Sequence, residues 1–378
     1  MATIDKLLQP NVLARLVSRQ MVAEQWILGF FGFEAGGRNE VNLGHGREGS
    51  YDVYNNTRDV GEGRVPGTAA AVIRPEPVGN VQFRYPRLYE QVPLLGERLH
   101  NLRRIGDAGA RDTAGARMIE LQTRNIAQRA ANWRAAMTVG MLRDTLYFQR
   151  DGDSLYPSFT STSAQYQVNF QQPSGNASQL DMLGDGDIID TSWDNPSADI
   201  PSHVSKIDAA FQELYGGRLE NVILQADVWQ HVVNNDAVAS QAGIANTPFR
   251  RFERVMGTRA DGSPVNVRVA ELVMIPGVTW YVTDEGVNLG TRASKTFTKY
   301  APDNGALFLP NPNMGNFFMQ LGSEPVVEVD GGPETVRFGS YQWSNKTYNP
   351  PSTNLFSLDN ALACNDIPNS VANGTVVF

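Results

Sequence analysis

"IIDTSWDNPSADIPSHVSKIDAAFQELYGGRLENVILQADVWQHV", residues 188–232, shows how the parts of this 378-residue chain alternate. Ser202 stands where a helix cap belongs, ahead of Val204, Ile207, Phe211 and Leu214 at helical spacing, and Gly216-Gly217 stops that helix. "NVILQA" (221–226) then reads as a buried strand, and Asp227 is placed to cap a second helix through "VWQHVVNN". Helix, strand and helix in one stretch predict an α/β layer.

Downstream the pattern turns to strands. Val265–Ile275 and Val278–Thr283 are joined by a Pro276-Gly277 turn, and Ala306–Leu309 follows. "PVVEV" (325–329), "VRFGSYQW" (336–343) and "NGTVVF" (373–378) keep the C-terminal region β-like. Upstream, a polar β-rich stretch covers Tyr166–Phe170. Before it, Asp112 or Thr113 caps a proline-free helix to about Phe148. Ile119, Ile126, Ala130, Trp133, Met137 and Met141 fall on one face, with Arg117, Arg124 and Arg134 off it. Such a helix is roughly 50 Å long. Its arginines exclude a membrane span, the lack of sustained heptads argues against a coiled coil, and Gly140 is a point of bending.

Residues 43–100 have another character: glycine, proline and arginine with no helical period. Pro75, Pro77, Pro86 and Pro93 each remove a ladder donor, which predicts edge strands in a long open hairpin. The segment has too little apolar content for a core of its own. The alternation Val81, Phe83, Tyr85 therefore predicts order gained by contact with something else. Gly44, Gly46 and Gly49 match the dinucleotide spacing G-x-G-x-x-G. The next residues, Tyr51 to Tyr54, are a β-prone alternation with nowhere to start a helix, so a glycine-rich bend is the better reading. At the N-terminus, Leu13, Leu16, Val17 and Met21 keep helical spacing after a break at Pro10. "WILGFFGFEA" then gathers Trp26, Ile27, Phe30, Phe31 and Phe33. On a terminal arm such side chains need a surface to bury against.

Charge is uneven. Residues 1–150 carry 20 basic and 15 acidic residues, and residues 151–378 carry 12 and 25, for a net charge of −8. Arginine outnumbers lysine 27 to 5. Arginine's planar fork suits bidentate pairing with carboxylates, and the acidic total argues against a dominant grip on phosphates. A basic segment of one copy lying on an acidic surface of another is the favoured reading.

Routes to catalysis are few. The four histidines (45, 100, 203, 231) sit in no H-E-x-x-H, and G-x-S-x-G and the phosphate-loop motif are both missing. His231 reads as a helix residue, packed or solvated. Asp185, Asp187 and Asp190 in "GDGDIID" read as a carboxylate-rich turn in preference to a calcium loop. A carboxylate pair for glycoside hydrolysis has no sequence spacing to test. The one cysteine, Cys364, excludes an internal disulfide. No apolar run approaches the roughly 20 residues of a membrane span, and "MATIDKLLQP" has no secretory pattern. No catalytic, cofactor-binding or metal-ligating residue is assigned.

The order of parts resembles the major capsid proteins of tailed bacteriophages, the Hong Kong 97-type fold, and within them the lambda-like capsid protein E family. The resemblance runs from about Val41 to the last strands and rests on architecture more than on one motif. "YDVYNNTRDVGEGRVPGTAAAVIRPEPVGNVQFR" (51–84) is similar to that family's extended loop, and Asp112–Phe148 to its spine helix. Residues 188–232 are similar to the start of its axial domain, and "APDNGALFLP" (301–310) to a later strand. The resemblance implies an α+β fold divided into an N-terminal arm (1–42), an extended loop (43–100), a peripheral domain with the spine helix (101–200), an axial domain (201–325) and returning C-terminal strands (326–378). It implies no enzyme and no cofactor, but a protomer of hexamers and pentamers in an icosahedral shell around double-stranded DNA. A separate scaffold protein and a portal are the implied partners, with the presence of a decoration protein left open and no membrane. The virion is the implied location, after assembly in the bacterial cytoplasm. On this reading Arg58, Arg64, Arg74, Arg84 and Arg87 of the loop contact adjacent subunits. Trp26, Phe30, Phe31 and Phe33 pack partly beneath that loop at a subunit boundary, and Ile119, Ile126, Trp133 and Met137 form the buried stripe of the spine. Another structural phage protein, such as a tail or portal component, and a carboxylate-based polysaccharide-acting enzyme are the alternatives.

Overall fold

A computed structural model describes residues 25–42, 46–54, 79–95, 108–161, 164–240, 249–258, 264–291, 294–327, 334–348 and 351–378. The first element, α1 (Trp26–Phe31), ends at Gly32, whose φ of 69° lets its N–H turn back to the Leu28 carbonyl. Short β1 (Glu40–Val41) precedes the antiparallel pair β2 (Glu48–Val53) and β3 (Gly79–Arg84), and β4 (Arg87–Leu95) follows. Helix α2 (Ala108–Leu142) has 35 residues and is roughly 52 Å long. It stops six residues before the expected Phe148. Asp144 takes a left-handed φ of 69°, and β5 (Thr145–Asp151) then buries Leu146 and Phe148 on one face. Strands β6 (Ser154–Ser158) and β7 (Ala164–Asn169) pair with β5 on either side, and β8 (Ala177–Ser178) follows.

The stretch that opens the reading folds as helix, strand and helix: α3 (Ile200–Leu214), β9 (Asn221–Leu224) and α4 (Ala226–Asn234), with short α5 (Asp236–Ser240) behind. Two cap assignments change. Asp199, three residues before Ser202, caps α3 by accepting the Ser202 N–H, because Pro201 already fits the helix's first turn. Asp227 lies inside the first turn of α4, where its charge meets the helix dipole, and Gln225 occupies the cap position. Then come β10 (Phe249–Thr258), β11 (Pro264–Leu272), β12 (Thr279–Val282), β13 (Gly286–Gly290), β14 (Lys295–Lys299) and β15 (Gly305–Leu309). The chain finishes with β16 (Phe317–Leu321), β17 (Ser323–Val327), β18 (Glu334–Tyr348), β19 (Pro351–Asn365) and β20 (Ala372–Thr375).

Two sheets organise the core. The seven-stranded sheet has the order β10-β11-β12-β9-β15-β20-β8. Its central β9 is buried on both faces, with Val222 and Leu224 among the side chains of α3 and α4 and Ile223 in the other core. The second sheet is centred on β19, whose first part lies between β18 and β4 and whose last part pairs with β16. Residues 87–95, read from composition as extended loop, are thus strand β4 of this sheet, paired on one side only among the described residues, as Pro93 requires.

Helix α1 wedges between the sheets. Trp26 stacks on Tyr281 of β12 at 5.6 Å, and Phe31 meets Phe317 of β16 edge-on at 5.1 Å. Trp26, Phe30, Phe31 and Phe33 are at most 5% exposed in their own subunit. Burial against a neighbour, the expectation for this segment, has no side-chain surface left to act through. A similar correction applies to Val81, Phe83 and Tyr85. They are buried on one face of β3 because β2 sets Tyr51 opposite Val81 and Tyr51 abuts Phe318 at 5.8 Å. The hairpin base draws on the subunit's own core.

Close approach makes Gly29 a sensitive position. A Cβ there would sit 2.0 Å from the Met256 carbonyl oxygen of β10. We expect Gly29→Ala to lower unfolding free energy by about 1–3 kcal/mol through forced separation of α1 and β10. Urea unfolding that leaves the midpoint unchanged would disprove this contact.

Candidate assembly surface

The base of the β2–β3 hairpin is tied down by charge. Arg47, just before β2, donates to Oε1 of Glu324 at 2.9 Å, and Arg87, at the start of β4, forms an ion pair with the same oxygen at 3.2 Å. Glu324 is nearly inaccessible on β17, and its Oε2 is buried without a partner in the described structure. One carboxylate therefore holds the chain both before β2 and after β3. The Tyr85 N–H donates to the Arg47 carbonyl at 2.9 Å, and the Gly46 N–H to Ser323 Oγ at 2.7 Å, which completes the clamp. Of the five loop arginines singled out by sequence, Arg87 has this partner in its own chain and also lies 4.5 Å over the Tyr89 ring. Arg84 is exposed and paired loosely with exposed Glu48 at 3.4 Å. Arg58, Arg64 and Arg74 lie outside the described residues.

The spine stripe is buried as its spacing predicts. Ile119 and Ile126 pack with Leu94 and Leu355, and Trp133 and Met137 enter the main core. Arg134, expected off that face, is a correction: its side chain is fully buried. Nε and Nη2 form a bidentate pair with Asp359 of β19 at 2.7 and 3.1 Å, and Nη1 reaches the Phe33 carbonyl at 3.1 Å and the Glu40 carboxylate. Burial opposes the charge, but Asp359 and Glu40 more than offset it and raise the guanidinium above its ordinary pKa. The surrounding run of Ala130, Ala131, Ala135 and Ala136 was the available signal. These small neighbours let sheet and helix close over the guanidinium. Periodicity alone treated arginine as solvent-facing.

The remaining candidates have structural roles. His203 is buried, with Nδ1 accepting from Trp193 Nε1 at 3.2 Å and Nε2 donating to Asp190 at 3.0 Å. That hydrogen bond holds the exposed Asp190 carboxyl below its usual range. His231 is half-buried in α4, while His45 and His100 lie outside the described residues. Among the described residues no group of three or more His, Cys, Asp or Glu side chains gathers to hold a metal ion, and no helix is long and apolar enough to cross a membrane.

Asp366 joins the hairpin base to the second sheet. Its carbonyl accepts the Tyr54 N–H at 2.8 Å, while its carboxyl Oδ1 is buried without a partner in the described structure. Burial pushes the carboxyl up to about 6. A folded pKa above the unfolded one means the ionised form opposes folding. The penalty is missing below about pH 4, grows as pH rises, and is complete above about 6. Asp366→Asn should therefore raise Tm at pH 7.5 and leave it nearly unchanged at pH 4. Equal effects at both pH values, read by calorimetry, would contradict the assignment.

No family model and no curated protein matches the chain in sequence. Its fold is nonetheless matched by solved structures. A protein from a prophage of Escherichia coli CFT073, described as its capsid protein, superposes at TM-score 0.53 with 11% identity, over 98% of this chain and 99% of that one. A phage-related protein from Bordetella bronchiseptica RB50 gives 0.48 and 10%, over 97% of each chain. The mature capsid of bacteriophage PhiM1 gives 0.40 and 12%, over 89% of this chain and 86% of that one. The first likeness shows that this chain shares the fold of that prophage protein, the α+β Hong Kong 97-type.

Proposed function

We propose that this chain is the major capsid protein of a tailed bacteriophage, a protomer of hexamers and pentamers that close into an icosahedral shell around double-stranded DNA. The observation that carries the reading is a capsid-type fold over nearly the whole chain, with the β2–β3 pair tied to β17 through Glu324. Residues 101–200 form a peripheral domain around the spine helix and residues 201–325 an axial domain. The C-terminal strands return to the body. The protein works by assembly without turnover, together with a separate scaffold and a portal, inside the bacterial host. A net charge of −8 suits a wall that encloses DNA without gripping it.

Negative-stain microscopy of the chain co-expressed with its scaffold tests this. Uniform shells or capsomer rings support it, and a chain that stays monomeric under those conditions overturns it. The loop arginines, Arg58, Arg64 and Arg74 with exposed Arg84, contact adjacent subunits on this reading. Arg74→Glu with Arg84→Glu should leave helix content intact and cut shell yield at least about tenfold, since like-charge contacts cost several kcal/mol. Native yield from the variant would remove the loop from the interface.

A further inference from the structure

The two edges of the seven-stranded sheet carry opposite charge. One edge is β10, whose outer side pairs with no other strand in the described structure. Arg250, Arg251 and Arg254 all lie on it and all are exposed. None has a carboxylate within ion-pair distance among the described residues: Arg251 lies over the Phe249 ring at 4.7 Å, and Arg254 donates to the Tyr281 hydroxyl at 3.0 Å. Phe252, between Arg251 and Arg254, and Val255, just after them, are exposed, at 44% and 61%. A ten-residue open edge with apolar side chains invites another chain, and natural edges of this kind are guarded by charge. Three exposed arginines against one exposed carboxylate, Glu253, leave this guard net cationic, so the edge repels a second copy of itself and selects an acidic partner.

The opposite edge is β8, six strand spacings away, or about 28 Å. From it grows the loop that carries Asp181, Asp185, Asp187 and Asp190, all exposed. No lysine or arginine occurs between residues 151 and 205. The loop is held at that edge by backbone bonds from the Ile188 and Ile189 N–H groups to the Leu180 and Gln179 carbonyls, both at 3.0 Å. Leu183 is exposed among the carboxylates. Each edge thus presents an apolar centre with charge around it, the composition of an interface, and the two charges are opposite in sign.

We infer that the basic β10 edge of one subunit docks on the acidic β8 edge of a second copy, the two patches being the halves of one head-to-tail contact. Because the halves lie at opposite ends of one sheet, each copy keeps a free half after pairing. The contact therefore propagates, into a ring where the rotation closes and into a filament where it does not. The inference rests on the capsid reading and names the contact that builds its capsomer.

The test uses the full chain with its scaffold and three variants: Arg250→Glu with Arg251→Glu, Asp185→Arg with Asp187→Arg, and all four changes in one chain. Rings and shells are counted by microscopy and mass photometry, and folding is checked by circular dichroism. Each two-site reversal should keep the native spectrum and lower ring yield at least about tenfold. The four-site chain should recover yield to within about twofold, and an equimolar mixture of the two reversals should recover six-membered rings, where the two copies can alternate, because swapped charges still attract. Wild-type yield from either reversal overturns the inference, as does failure of both the four-site chain and the mixture to recover. In those cases the wild type still forms shells and the capsid reading stands. A wild type that forms neither rings nor shells overturns both.

Discussion

Arg134→Met is expected to lower unfolding free energy by about 3–5 kcal/mol, because it strands the Asp359 carboxylate in a site with no access to water. The guanidinium joins three parts of the chain that are distant in sequence: helix α2, strand β19 through Asp359, and the start of β1 through Glu40. Removing it leaves both carboxylates close to each other with nothing to balance them. Removing charge from the pair together is a different experiment. Arg134→Met with Asp359→Leu replaces a buried ion pair with apolar packing of similar volume, a change that is often neutral. The double variant should recover most of the single variant's loss, leaving mainly the cost of unpaired Glu40, which retains some contact with solvent. Urea unfolding of both variants decides. A single-variant loss below about 1 kcal/mol, the range of an exposed pair, would mean that water reaches the site and the burial argument is wrong.

Trp26→Ala should cost about 3–5 kcal/mol, the range for deleting a large buried aromatic. The indole stacks on Tyr281 with the ring planes 6° apart and touches Phe30 and Tyr300 edge-on. It bridges an N-terminal helix to β12, so the cavity left behind would lie between the two sheets, where neither can move in to fill it. The same substitution on an arm docked only to a neighbouring subunit would leave the isolated chain's stability unchanged. Chemical denaturation of unassembled protein separates these outcomes. Trp26→Phe, which keeps part of the stack, should recover part of the loss.

The local elements were legible because they follow from spacing and from turn chemistry. Val204, Ile207 and Phe211 repeat at helical period and fill one face of α3, and Val222 to Leu224 form a run short enough to be only a buried strand. Ile119, Ile126, Trp133 and Met137 trace the buried stripe of α2 over most of its length. The end of that helix was read six residues late, since Thr145 to Phe148 carry apolar side chains compatible with either state. Pairing with β6 and β7, the next two elements along the chain, chose the strand. The G-x-G-x-x-G spacing was set aside for lack of a following helix, and Glu48–Val53 is indeed a strand.

What the sequence by itself determined is the succession of helices and strands, the long spine helix, and the unequal charge of the two halves. These depend on neighbours a few residues apart, or on composition alone. Only the tertiary structure decided which polar groups are interior and which aromatic residues are home or away. Arg134 is an ordinary helix arginine until a strand more than two hundred residues later brings Asp359 to it. Glu324 is one of many acids until Arg47 and Arg87 converge on it from the two ends of a hairpin. Trp26, Phe30, Phe31 and Phe33 look like an arm in search of a partner until β12 and β16 enclose them. The opposed charges at the edges of the seven-stranded sheet likewise become neighbours or opposites only through strand order, β10 first and β8 last. In each case the free energy of a charge or ring depends on which groups surround it, and long-range pairing sets that environment where no local pattern records it.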